Sequence, residues 1–81
     1  MTKYAYVVTG SEDGILGVYS NANAAAKRAA QYVAPDDYIE LWRRTAGNAK
    51  LQHSVTIQAP GTDYNDYTTT TAEIDRWPLS K

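Results

Sequence analysis

The chain has 81 residues, with eight Lys and Arg against nine Asp and Glu for a formal net charge of −1. One domain spanning 1–81 is all this length can build, and the charge balance suits neither a protein held mainly by nucleic-acid phosphates nor a heavily acidic DNA mimic. With no Cys, disulfides and thiolate ligands are excluded, as befits a reducing cytoplasm.

No apolar run approaches the roughly 18 residues needed to span a bilayer, so no membrane partner is expected. Met1-Thr2-Lys3 leads straight into Tyr4-Ala5-Tyr6-Val7-Val8, too short for a signal-peptide core. The expectation is a soluble, unprocessed, cytoplasmic protein. Seven Tyr and two Trp with no Phe favour half-exposed surfaces, since both residues join an apolar body to a polar tip. A domain this small buries only about 60% of its unfolded surface, which leaves dimerisation open.

Lys3 to Thr9 alternates and is rich in strand formers. Gly10-Ser11-Glu12-Asp13-Gly14 then reads as a polar turn, and Ile15 to Tyr19 resumes the pattern, so a β-hairpin is expected. The glycines are no phosphate cradle, because no Gly-Lys-Ser/Thr follows them. Ser20 suits an N-cap, and Asn21 to Val33 carries six alanines, the strongest helix formers. Pro35 stops the helix. Ala22, Ala25, Ala26, Ala29 and Val33 share one face at helical spacing.

Tyr38 to Thr45 alternates, with Ile39 and Leu41 on one side and Tyr38, Glu40, Trp42 and Arg44 on the other. Ala46-Gly47-Asn48-Ala49 reads as a turn, and Lys50 to Gln58 as a returning strand with Leu51, His53, Val55 and Ile57 on one side. Ala59 to Asp66 reads as a loop around Pro60-Gly61, and Tyr67 to Trp77 as a fifth strand of unreadable register. The expected fold class is α+β: two hairpins and a fifth strand in one mostly antiparallel sheet, with a single alanine-rich helix on one face.

Candidate chemistry is thin. His53 is the only histidine and shares the parity of Leu51 and Val55, so a packed or edge position suits it better than catalysis. Asp63-Tyr64-Asn65-Asp66 resembles the start of a calcium loop but lacks the glycine and closing glutamate. Asp36 and Asp37 point to opposite faces and suit a turn. No enzyme activity, cofactor or metal is expected.

The constellation that remains is the strand alternation. With Ala5, Val7, Ile39, Leu41, Leu51, Val55 and Ile57 facing the helix, the open face would carry Tyr4, Tyr6, Tyr38, Trp42 and Arg44, a composition typical of protein-interface hot spots. A protein partner, or a second copy, is expected there unless the tail with Trp77 and Leu79 covers it. Second in rank is single-stranded nucleic acid, its bases stacked on the aromatics and its phosphates tracked by Arg43, Arg44 and Arg76.

The stretch Gly17-Val-Tyr-Ser-Asn-Ala-Asn-Ala-Ala-Ala-Lys-Arg-Ala-Ala-Gln-Tyr-Val33 resembles small bacterial and phage proteins in which a strand ending in Val-Tyr/Phe-Ser leads into a helix of repeated Ala. In size and layout the chain is similar to phage-encoded inhibitors of host enzymes, including anti-CRISPR proteins. The resemblance covers about residues 4–45, rests on a generic strand-cap-helix-strand unit, and carries over no functional residue. It implies a class: stoichiometric binders that occupy a surface on a host or defence enzyme.

Overall fold

The computed structural model describes residues 3–58 and 70–79. The chain runs β1 (Tyr4–Gly10), β2 (Gly14–Tyr19), α1 (Ala22–Val33), α2 (Ile39–Leu51), β3 (Ser54–Gln58) and β4 (Thr71–Pro78). The strands form one antiparallel sheet in the order β2-β1-β4-β3, so the two terminal strands of the chain lie at its centre. The α+β class stands, with four strands and two helices among the described residues where five strands and one helix were expected.

The first hairpin forms where expected. Gly14 takes φ +73 at the turn, a left-handed geometry that glycine adopts without Cβ strain. Ser11 ties this turn to the sheet, its N–H donating to Thr71 O at 2.9 Å and its Oγ accepting from Thr71 N–H at 3.1 Å.

The α1 cap falls one residue later than Ser20. Asn21 Oδ1 accepts from Ala24 N–H at 2.7 Å, satisfying one of the donors a helix start leaves orphaned. Ala22, Ala25, Ala26, Ala29, Ala30 and Val33 are all buried. Methyl-sized side chains let α1 lie close to both the sheet and α2, and together with Val8, Ile74, Val55, Ile57 and Leu41 they form the core.

The third expected strand is a helix. Leu41, Thr45, Ala46 and Ala49 are its buried residues, a spacing of four, one and three that only a 3.6-residue period satisfies. The expected turn at Ala46–Ala49 lies inside that helix. Glu40 in the first turn and Lys50 in the last complement its dipole. The following strand is shorter than Lys50 to Gln58: Leu51 ends α2, and β3 begins at Ser54. The last strand runs Thr71–Pro78, while the expected loop Ala59–Asp66, including Asp63 to Asp66, and the start of the expected strand at 67–69 lie outside the described residues.

The parity of β1 is also the reverse of the expectation. Tyr6 and Val8 are buried beneath the helices, whereas Ala5 and Val7 lie on the opposite face. Register carries this through the sheet: Tyr6 pairs with Tyr19 and Arg76, and Val8 with Ile74. Val7 pairs with Val18 and Asp75, and Ala5 with Trp77.

Candidate functional site

The five residues expected on one open sheet face are not together. Tyr4 and Tyr6 lie on the helix side of β1 with ring centroids 6.3 Å apart, and Tyr6 is core. Tyr38 precedes α2, and Trp42 and Arg44 belong to it. Tyr38 and Trp42 pack partly buried against the core, their centroids 6.4 Å apart. Trp42 Nε1 donates to Asn23 O at 3.0 Å, and Lys27 Nζ stands 5.2 Å from the ring centroid. These contacts make Trp42 a clamp between the helices. Only Arg44 is exposed.

Arg76 is likewise turned inward. Its guanidinium carbon lies 4.4 Å from the Tyr4 ring centroid, and Nη1 donates to Lys50 O at 2.9 Å. The charge thus satisfies a carbonyl at the end of α2. His53 is exposed, in the link between α2 and β3.

Both helices pack on the same side of the sheet, as their shared core shows, and the opposite face has a character of its own. Ile15, Val18 and Trp77 are 70%, 63% and 61% exposed. In register, Val18 lies beside Val7, and Trp77 beside Ala5. At one end a shallow depression of about 260 Å³ is lined by Ala5, Val18 and Leu79, with Tyr4, Tyr19 and Ser20. The neighbouring part of the face is acidic. Glu73 and Asp75, two residues apart on β4, share it with Trp77. A hydrogen bond to Asp75, and then its negative charge, hold the Glu73 carboxyl above the ordinary glutamate range.

The chain matches no family model, no curated protein and no solved structure.

The aromatic anchor of the open face, Trp77, had a signal in the sequence. In Ala72-Glu73-Ile74-Asp75-Arg76-Trp77 the acids alternate with Ala and Ile, so Trp77 shares the parity of the two carboxylates. In β1, by contrast, Tyr4 to Val8 is apolar at both parities, and no alternation marks the inward side.

A second feature lies at the β3 edge of the sheet. Leu41, Arg44, Thr45 and Asn48 of α2 face Val55, Thr56, Ile57 and Gln58 of β3 across a groove of about 250 Å³. Leu41, Val55 and Ile57 give it an apolar floor, and Arg44 and Asn48 an exposed polar rim.

Proposed function

We propose that the chain is a non-enzymatic protein-binding module whose partner sits on the open face of the sheet. Its size and layout favour an inhibitor, of the kind phages and mobile elements carry, that occupies the surface of a larger host or defence enzyme. The observation that carries the reading is the exposed apolar set Ile15, Val18 and Trp77 on the face away from both helices. Apolar side chains gathered on one face mark interaction sites, and Trp is the residue most enriched among binding hot spots.

Asp75, two residues from Trp77 on the same face, and Glu73, two further along, specify the partner's chemistry: a protein surface with an apolar pocket for Trp77 and Lys or Arg near it. They repel phosphate, which ranks single-stranded nucleic acid below protein. Capture from a cell lysate by the immobilised chain, compared with its Trp77→Ala and Val18→Asp variants, tests the reading. A partner retained by the wild type and lost by both folded variants supports it; identical captures by all three sink it. A second copy is the other occupant of such a face, and sedimentation at micromolar concentration identifies that case by a dimer that Val18→Asp dissociates.

A further inference from the structure

We infer that the groove between α2 and β3 binds an extended peptide as a fifth strand, with a carboxylate of the peptide held by Arg44. The inference uses none of the residues that carry the open-face proposal, Ile15, Val18 and Trp77. β3 is an edge strand, paired on one side with β4 and on the other with no strand among the described residues. The phase of its backbone follows from one bond. Arg76 N–H donates to His53 O at 2.8 Å, so His53, and in step with it Val55 and Ile57, turn their backbone groups toward β4. Ser54 and Thr56 therefore direct N–H and C=O outward, into the position an added strand would occupy.

The side chains around that edge match such an occupant. Val55 and Ile57 lie on the helix side of β3, beside Leu41 and Thr45 of α2, so alternate residues of an added strand would meet an apolar wall. Arg44 stands on the rim, exposed and with no hydrogen bond or ion pair among the described residues. Its planar fork of donors suits a carboxylate, from either an Asp or Glu side chain or a chain terminus. The strand itself carries none of the usual sequence guards. Ser54–Gln58 contains no Lys, no Pro and no charge, whereas solitary edge strands commonly carry such residues to prevent pairing.

The probe is a library of random linear nonapeptides displayed on phage with free C-termini and selected on the full chain, with selected sequences remade as free acids and as C-terminal amides for fluorescence anisotropy. The expected result is enrichment of peptides with alternating aliphatic residues and an acid at a fixed offset. Arg44→Glu should weaken their binding at least tenfold, and replacing the peptide's acid by Lys should restore it. If the acid is a chain terminus, amidation abolishes binding; if it is a side chain, amidation leaves binding unchanged. Thr56→Pro, which deletes an outward N–H that β4 does not use, should also abolish binding, with circular dichroism confirming the fold. Trp77→Ala should have no effect, which separates this site from the open face. No enrichment, or peptides indifferent to both Arg44→Glu and Thr56→Pro, overturns the inference.

Discussion

At the scale of single residues, the sign of a substitution is set by what surrounds the altered atom. Thr45 is 1% exposed and its Oγ1 has no hydrogen-bond partner among the described residues. A buried hydroxyl left unpaired costs about 1–3 kcal/mol, and an apolar isostere removes that penalty. Thr45→Val should therefore raise the melting temperature, whereas a buried Thr with a bonded hydroxyl would lose stability in the same change. Two glycines form a second pair. Gly47 lies inside α2 with nothing within 4 Å of the position a Cβ would take, so Gly47→Ala should stabilise by roughly 0.5–1 kcal/mol through helix propensity. A Cβ on Gly10 would stand 2.6 Å from Tyr32 Cζ. Tyr32 would have to swing away and give up the bond its hydroxyl accepts from Glu12 N–H at 3.2 Å. Gly10→Ala should thus destabilise by about 1–3 kcal/mol, as overpacking does. Chemical denaturation of the three variants checks all three signs.

At the scale of elements, β4 carries a pH dependence of unusual direction. The raised Glu73 carboxyl binds its proton more tightly in the folded chain than in the unfolded one, so the pair with Asp75 subtracts stability above the raised pKa. That subtraction vanishes as pH falls below the unfolded value. Glu73 is exposed and Asp75 half-buried, so solvent screening limits the effect to about a few tenths of a kcal/mol. Glu73→Gln should melt slightly above the wild type at neutral pH, and the gap should shrink through about pH 4, where an unfolded glutamate is about half protonated, and close below it; a gap that widens toward acid contradicts the assignment. Elements also show how much the sequence told. The hairpin at Gly10–Gly14 and the alanine face of α1 were legible because turn residues and helical spacing act locally. The helix α2 was not, because eight residues from Tyr38 to Thr45 fit a period of two, and only extension to Ala46 and Ala49 reveals 3.6. Its Gly47-Asn48 pair adds a turn signal that tertiary packing overrides. The candidate site failed with it: moving Tyr38, Trp42 and Arg44 from a strand to a helix dissolves the expected aromatic face.

At the scale of the molecule, the two tryptophans report on the two sides of the sheet. Trp42 clamps α2 to α1 through its bond to Asn23 and the ammonium of Lys27, on the side where both helices share the core. Trp77 stands on the other side beside Ala5, on the face it shares with Asp75 and Glu73, and is 61% exposed. Solvent access should separate them spectroscopically: in Trp42→Phe the remaining emission should be red-shifted and readily quenched by acrylamide, and in Trp77→Phe it should be shielded. Energetics should separate them as well. Truncating a half-buried indole with a bonded N–H removes packing and a hydrogen bond, so Trp42→Ala should cost about 2–4 kcal/mol of stability, a large share of what a chain this size possesses. Trp77→Ala should change stability by less than about 0.5 kcal/mol, as exposed positions do, and should weaken binding of an open-face partner by ~2 kcal/mol or more, roughly thirtyfold. The discriminating outcome is the pairing of effects. A Trp77→Ala chain that unfolds would mean the open face is core, and a Trp42→Ala chain that folds normally but loses its partner would move the binding surface to the helices.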